Sequence, residues 1–162
     1  MTQPLPDPSA GPTRLQHGSC AALDGVGVLL LGPSGAGKSD LLLRLLGAGW
    51  RLVADDQVSL SRRGPALVAE APAALRGMIE VRGLGLLGGL EAAAAPLGLA
   101  VDCVARDAVP RLPEPRRWEA LGAALPLVAL HPLDASAPDK LGLALRAVRG
   151  RVACTAGAFA PA

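Results

Sequence analysis

The residues of this sequence with the clearest chemical potential are Gly32–Ser39, which read GPSGAGKS. They match the pattern G-x-x-x-x-G-K-[ST], in which glycines let successive backbone N–H groups turn toward a phosphate group. Lys38 would then reach the outer phosphates of a nucleoside triphosphate, and Ser39 would hold Mg²⁺. The predicted nucleotide-binding residues are Gly32, Pro33, Ser34, Gly35, Ala36, Gly37, Lys38 and Ser39.

The segments around this motif decide between nucleotide binding and a simple glycine turn that caps a core helix. The apolar run Val26–Leu31 precedes the motif and predicts a buried strand. A leucine-rich amphipathic segment follows directly and predicts a helix over Lys38–Ala48. Because strand, loop and helix come in the order that the pattern requires, the context favours nucleotide binding.

Two adjacent acids, Asp55 and Asp56, are the second candidates for chemistry. They follow Arg51–Ala54, a predicted strand, and ligands of open α/β sheets bind beyond the carboxyl ends of the strands. One carboxylate could lie near a metal ion while the other accepts a proton from an attacking hydroxyl. The spacing alone equally allows an exposed pair of acids in the turn before a further strand, Gln57–Leu60.

Glu80 and Arg82 are charged residues inside an apolar segment, Leu75–Leu87, that is punctuated by glycines. Charges in such a segment are costly unless they are paired or bound to a ligand, so we expect a metal contact and a phosphate clamp. An ion pair between Glu80 and Arg82 on one strand face is the structural alternative.

His17 lies in Arg14–Leu23, a segment of imperfect alternation that ends at Asp24-Gly25. Asp-Gly is a strong signal for a type I′ turn, so a hairpin with the following strand is predicted. The hairpin places His17 within reach of the glycine-rich motif. A polar histidine on the solvent face of a strand is the alternative.

The remaining pattern predicts one α/β domain. Leu41, Leu42, Leu45 and Leu46 are expected on the inner face of the first helix. Further elements are predicted as strands over Ala66–Glu70, Val101–Val104 and Leu125–Leu130, a charged loop over Asp107–Arg117, and a last helix over Pro138–Val148. The expected organisation is a disordered leader over residues 1–13, a catalytic domain over 14–150 and a poorly ordered tail over 151–162.

Composition restricts the class of protein. With 162 residues and an apolar fraction of 51%, the chain suits one domain, and an aromatic share of 2% predicts a core of Leu, Val and Ala. The net charge of +2 is small and scattered, which argues against a nucleic-acid or anionic-membrane partner. Three cysteines, Cys20, Cys103 and Cys154, lack metal-ligand spacing. Without a signal pattern or an apolar run of about 20 residues, a cytoplasmic protein is expected.

Taken together, these motifs resemble the catalytic domain of HPr kinase/phosphorylase. The resemblance rests on His17-Gly18, GPSGAGKS, RLVADD at Arg51–Asp56, EAP at Glu70–Pro72 and IEVRGLGLL at Ile79–Leu87. It implies an α/β, P-loop, phosphoenolpyruvate-carboxykinase-like kinase fold with a mixed sheet and a phosphate-loop helix. The implied cofactors are ATP and Mg²⁺, and the implied protein substrate is the phosphocarrier HPr, phosphorylated on a serine to regulate a phosphotransferase system.

The resemblance also implies roles for individual residues. Asp56 falls at the position of the acid/base, and Arg111, which precedes Leu112, is the best match to a further active-site arginine. The expected catalytic residues are His17, Lys38, Asp56 and Arg111, and the expected metal ligands are Ser39, Asp55 and Glu80.

The sequence departs from the longer members of the family in two places. With only a short stretch before His17, we expect this chain to lack their separate N-terminal domain, and His131–Ser136 stands where they have Pro-Val-Arg-Pro-Gly-Arg-Asn. The chain therefore resembles the truncated α-proteobacterial form. Kinase activity and a homo-oligomer are expected, while phosphorylase activity, which would use inorganic phosphate, is open. A small-molecule phosphotransferase and a non-catalytic nucleotide sensor are the alternatives.

Overall fold

A computed structural model describes residues 11–162, so most of the predicted leader lies outside the described residues. Within the described residues the chain forms eleven strands, two α-helices and two short 3-10 helices, Ala73–Leu75 and Arg106–Ala108. The strands are β1 (Thr13–His17), β2 (Ser19–Leu23), β3 (Val26–Leu31), β4 (Arg51–Ala54), β5 (Gln57–Arg63), β6 (Ala66–Glu70), β7 (Ile79–Val81), β8 (Gly85–Leu87), β9 (Ala95–Cys103), β10 (Arg116–Ala120) and β11 (Ala123–Leu130). The helices are α1 (Lys38–Gly47) and α2 (Ala137–Val148).

Nine of the strands form one mixed sheet. Along its main path the order is β1-β5-β6-β9-β3-β2-β4, and β11 joins β9 and carries β10. The β3–β9 and β9–β11 pairs are parallel, whereas the other pairs in the sheet are antiparallel. The two remaining strands, β7 and β8, form a separate antiparallel hairpin. This arrangement confirms the predicted mixed α/β architecture.

Strand β3 shows why the sheet has a core on each face. Neighbouring side chains of a strand point to opposite faces, and successive residues of β3 belong alternately to two hydrophobic clusters, one on each face. Val28 and Leu30 pack with the two helices, whereas Leu29 and Leu31 pack on the other face. A strand covered on both faces must be apolar throughout, which explains the uninterrupted apolar run in the sequence.

The helices cover one face of the sheet. Helix α1 begins directly after Gly37 and buries Leu41, Leu42 and Leu45, while Leu46 packs at the edge of the same cluster. Helix α2 buries Leu141 and Leu145 beside it. Both helices therefore agree with the predicted ones to within one residue at each end.

The other face is covered by the sheet itself. Its cluster joins residues of the central strands, such as Leu29 and Val53, to residues of the flanking strands, such as Leu60, Leu67 and Leu125. The sheet must curl for these strands to meet. Burial of leucine and valine on both faces supplies the main driving force for this arrangement.

The N-terminal segment differs from the single strand that was expected. It divides at Gly18 into β1, which pairs with β5, and β2, which pairs with β3 and β4. A Cβ atom at Gly18 would lie 2.6 Å from the backbone oxygen of Leu30, so only glycine fits at this position. The expected type I′ hairpin is present, with Asp24 at φ 51° and Gly25 at φ 79°.

The second half of the chain shows the other differences. The region expected to be a loop over Asp107–Arg117 ends in β10, and the strand expected at Val101 begins six residues earlier, at Ala95. Phe159 of the C-terminal segment packs against the helix-side cluster, and disorder of residues 151–162 stays a prediction. Within the described residues, no helix is long and apolar enough to cross a membrane.

The two-faced core leads to a stability prediction. Leu29 is 0% exposed and Leu15 is 60% exposed. We expect Leu29→Ala to lower the free energy of unfolding by about 2–5 kcal/mol, because it leaves a cavity between packed layers. Leu15→Ala is the matched control and should change this free energy by less than about 0.5 kcal/mol. Urea denaturation measures both, and equal effects would contradict the described packing.

Candidate active site

The carboxyl ends of four strands meet along one edge of the sheet. β3, β9 and β11 are parallel neighbours, and β4 runs in the same direction because β2, antiparallel to both β3 and β4, lies between them. The segments that follow these strands therefore lie side by side. This edge is where α/β sheets bind ligands.

The glycine-rich loop, Gly32–Gly37, joins β3 to α1 at this edge. Gly32, Gly35 and Gly37 have φ values of 147°, 83° and 106°, a region that favours glycine. A Cβ atom at Gly32 would also lie 3.0 Å from the backbone oxygen of Cys103. The loop thus combines backbone conformations and close contacts that side chains would disturb.

Lys38 closes the loop from within. Its side chain is only 6% exposed, and its Nζ donates hydrogen bonds to the backbone oxygens of Gly32 (2.7 Å) and Pro33 (2.8 Å). A buried ammonium group needs such partners. The same bonds hold the positive charge at the mouth of the loop, beside the amino end of α1, where an anion would be attracted.

Asp55 connects three segments of the site. Its Oδ1 accepts hydrogen bonds from the hydroxyls of Ser19 (3.0 Å) and Ser39 (2.9 Å), and its Oδ2 accepts one from the backbone N–H of Glu80 (3.4 Å). The residue is 9% exposed. Since a buried carboxylate is costly without such donors, the three bonds fix β2, α1 and β7 relative to β4.

Asp56 points into solvent beside His17. Its φ of 66° is unusual for a residue other than glycine, and Gly18 N–H donates to its backbone oxygen at 3.0 Å. His17 Nε2 lies 3.3 Å from Asp56 Oδ1, and both side chains are substantially exposed. The left-handed backbone therefore turns the second acid away from Asp55 and toward the histidine.

These groups share one cavity of about 450 Å³. It is lined by His17, Ser19, Ser34, Gly35, Gly37, Lys38, Ser39, Asp40, Leu43, Asp56, Glu80, Val81, Arg82 and Leu133. Most of the expected site residues are thus brought together. Asp55 lies beneath Ser39, in contact with it.

The remaining candidates fall into two groups. Glu80 and Arg82 reach the cavity from β7 and the residue after it, and the described residues contain no ion pair between them. Arg111 lies in the exposed segment before β10 and does not line the cavity. Its expected role stays a prediction.

The donor atoms suit a hard divalent cation. Among the described residues, no group of three or more His, Cys, Asp and Glu side chains could hold a metal ion by itself. Mg²⁺ needs only one or two protein oxygens, because water and phosphate oxygens complete its coordination. Ser39 Oγ and the Asp55 carboxylate, 2.9 Å apart, provide oxygen donors of this kind.

The sequence did not indicate Ser19 or Leu133 as site residues. Ser19 is a polar residue at the start of the apolar strand SCAAL, which is a weak signal of a buried hydrogen bond. Leu133 lies in a turn without hydrophobic periodicity, so no sequence pattern points to it. Both are brought to the cavity by strand pairings distant in sequence.

The cysteines are free, and two of them are buried. Burial raises the pKa of the Cys103 thiol to about 11, although the nearby charge of Lys38 acts in the opposite direction. Burial also raises the pKa of Cys20. Since the thiolate is the reactive form, both thiols should be inert near neutral pH.

The fold and the cavity define an α/β protein in which a glycine-rich loop, two acids and a histidine meet at the carboxyl edge of a mixed sheet. The family model for the HPr Serine kinase C-terminal domain matches residues 10–91, about half of the chain. The chain belongs to this family.

Curated relatives agree with this family. The HPr kinase/phosphorylase of Bordetella pertussis is 49% identical over 77 residues, which cover 47% of this chain and 25% of the relative. The one from Clostridium botulinum is 40% identical over 87 residues, covering 54% of this chain and 28% of the relative. The matched region therefore spans about a quarter of the length of these relatives.

A solved structure has the same fold. The Hpr(Ser) kinase/phosphatase from Coxiella burnetii superposes with a TM-score of 0.73 at 24% sequence identity. The match covers 85% of this chain and 97% of that chain, so it extends well beyond the residues that the family model matches.

The burial of the thiols yields a prediction. At pH 8 a thiol with a pKa of about 11 is only about one part in a thousand thiolate, so a disulfide reagent should label Cys154 and leave Cys103 nearly unreacted. The Cys154→Ser variant should lose the fast reaction, and Cys103→Ser should keep it. Fast labelling of two or three thiols in the folded protein would contradict the described burial.

Proposed function

We propose that this protein is an ATP-dependent protein-serine kinase that transfers the γ-phosphoryl group of ATP to a serine of the phosphocarrier HPr. The observation that carries the proposal is one cavity that joins Lys38, the Ser39–Asp55 pair and the His17–Asp56 pair. Family membership and the names of the relatives support HPr as the protein substrate. Regulation of a phosphotransferase system follows from that substrate.

The glycine-rich loop is proposed as the phosphate-binding loop of a P-loop, phosphoenolpyruvate-carboxykinase-like kinase. Its backbone N–H groups and the amino end of α1 would surround the phosphates. Lys38 would exchange its bonds to Gly32 and Pro33 for the β- and γ-phosphate oxygens. These bonds already place the ammonium group at the loop, close to where the phosphate oxygens would bind.

Mg²⁺ would be held at Ser39 and Asp55, with Glu80 as a further ligand from β7. The hydrogen bond between Ser39 and Asp55 and the position of Glu80 at the cavity support this set. The ion would supply charge neutralisation for the outer phosphates. Arg82 lines the same cavity and would place a positive charge near the transferred phosphoryl group. Arg111 is proposed to contribute as well.

Asp56 is proposed as the base. In the kinase direction the serine oxygen forms a bond to the γ-phosphorus, the bond from that phosphorus to the bridging oxygen breaks, and ADP leaves. The serine proton passes to the Asp56 carboxylate. His17, 3.3 Å away, would hold this carboxylate in position.

Further features are proposed from the same family. The catalytic domain is assigned to residues 14–150. The protein is proposed to be cytoplasmic and to act as a homo-oligomer. If the enzyme is also a phosphorylase, inorganic phosphate would attack the phosphoserine phosphorus, the serine would leave and Asp56 would return the proton. The products would be serine and pyrophosphate.

The central experiment is phosphoryl transfer in vitro. We expect that the protein, γ-labelled ATP, Mg²⁺ and HPr from the same organism give phosphoserine on HPr, identified by mass spectrometry. Lys38→Ala should abolish the transfer, because the buried cation of the loop is removed. Arg146→Ala, on the exposed face of α2, is the matched control and should retain full activity.

Other outcomes separate the alternatives. Unchanged transfer by Lys38→Ala would overturn the assignment of the loop. Acid-labile label on a histidine of HPr would indicate a different enzyme. Binding of ATP with no transfer to HPr or to any small acceptor would indicate a nucleotide sensor.

The proposed base gives a second prediction for this site. Asp56→Asn keeps the size of the side chain but removes its charge and basicity, so the single-turnover rate of transfer should fall by about 10²–10⁴-fold. Affinity for a non-hydrolysable ATP analogue should be kept or slightly improved, because a negative charge near the phosphates is lost. The binding isotherm and the transfer rate are measured side by side.

Asp24→Asn is the matched control for this substitution. Asp24 is also an exposed aspartate with positive φ, but it lies in the β2–β3 turn and does not line the cavity. Its replacement by Asn should leave both binding and transfer unchanged. Equal losses of binding and rate in Asp56→Asn would mean that Asp56 maintains the nucleotide site and is not the base.

A further inference from the structure

Leu133 is an exposed leucine that lines the cavity. It lies in the turn after β11, residues His131–Ser136, which we call the β11 turn. The residue is 57% exposed, yet a Cβ atom built on Gly37 would lie 3.1 Å from Leu133 Cδ2 and 3.1 Å from Pro132 Cγ. The β11 turn therefore touches the end of the glycine-rich loop and places an apolar side chain beside it.

The strand order fixes which side of the loop this is. Across the edge of the sheet the order is β4, β2, β3, β9, β11. The acids Asp55 and Asp56 follow β4, two strands from the loop in one direction, whereas Leu133 follows β11, two strands away in the other. Since neighbouring strands are about 4.8 Å apart, the ends of β4 and β11 lie about 10 Å from the end of β3 on opposite sides, and Asp55 and Leu133 extend from there to Ser39 and Gly37.

The β11 turn is also firmly held. Asp134 Oδ1 accepts hydrogen bonds from Arg106 Nε (2.9 Å) and Nη2 (2.6 Å). Arg44 of α1 donates to the backbone oxygens of Pro132 and, at 3.1 Å, Asp134. The turn is therefore tied both to the segment after β9 and to the helix that begins at the glycine-rich loop.

Two further contacts complete this anchoring. His131 Nδ1 lies 2.9 Å from the backbone oxygen of Val104, and Lys140 Nζ lies 3.8 Å from Asp134 Oδ2. The hydrogen bonds and charge of Arg106 are the main cause of the lowered pKa of the Asp134 carboxyl, so this carboxyl remains ionised and paired. Because these bonds hold the β11 turn in place, the exposed side chain of Leu133 keeps a fixed position beside the glycine-rich loop.

We propose that Leu133 packs against the base of the bound nucleoside triphosphate. The inference rests on the proposed function, which places the γ-phosphate toward Asp56. The phosphate chain crosses the glycine-rich loop, so its inner end and the nucleoside emerge on the side away from the acids. Leu133 is the apolar residue of the cavity that touches the loop on that side, and a flat base would cover its exposed surface.

The test distinguishes protein contacts with the base from protein contacts with the phosphates. Isothermal titration with Mg²⁺ present compares ATP with tripolyphosphate, which has the phosphate chain and no nucleoside. Leu133→Ala should weaken ATP binding about three- to tenfold, as expected for the loss of one partly buried leucine contact, and leave tripolyphosphate binding unchanged. Leu133→Met should restore most of the affinity for ATP, because it retains a side chain of similar volume.

Leu143→Ala is the matched control, since Leu143 is a similarly exposed leucine on α2 that does not line the cavity. It should bind both ligands as the unaltered protein does. If Leu133→Ala weakens the binding of both ligands equally, or of neither, the proposal is wrong, while the unaltered protein is still shown to bind ATP. If the unaltered protein binds no ATP, the proposed function itself fails, and the two failures are thereby distinguished.

Discussion

The buried Asp55 carboxylate is the interaction on which the site depends. A carboxylate removed from water needs hydrogen-bond donors, and here they come from three separate parts of the chain: Ser19, Ser39 and the backbone of Glu80. The hydrogen bonds to this one carboxylate therefore hold the start of β2, the first turn of α1 and the β7 strand around one point. This geometry leaves the neighbouring Asp56 free to face the cavity, because its left-handed backbone directs the two adjacent side chains apart.

The sheet supplies the second constraint. Its central strand β9 pairs with β6, β3 and β11, so the acids after β4 and the turn after β11 are held at fixed distances on either side of the glycine-rich loop. Those distances are set by backbone hydrogen bonds. The curl of the sheet covers one face and the two helices cover the other, so a cluster made mainly of Leu, Val and Ala is enclosed on each face.

Local signals explain how much could be predicted from the sequence. Arg51–Ala54 and Ala66–Glu70 were predicted with the observed bounds because short β-prone runs are flanked by turn residues. β10 was missed, since Arg116–Ala120 carries three charges and follows a proline-rich stretch. Its place in the sheet depends on pairing with β11, which local sequence does not encode. The contact between Ser19 and Asp55 is of the same kind, because it follows from the position of β2 beside β4.

The order of the strands has a consequence for how such a site can diverge. The cavity residues that are proposed to act in transfer, from His17 to Arg82, precede β8, and the β11 turn comes much later in the chain. The two sides of the cavity are therefore encoded in separate segments, which meet through the sheet and through the hydrogen bonds from Arg44 to the β11 turn. Substitutions in the β11 turn that keep the hydrogen bonds from Arg44 can alter the surface beside Gly37 without changing the donors to Asp55, so one side of the cavity can diverge while the other is kept.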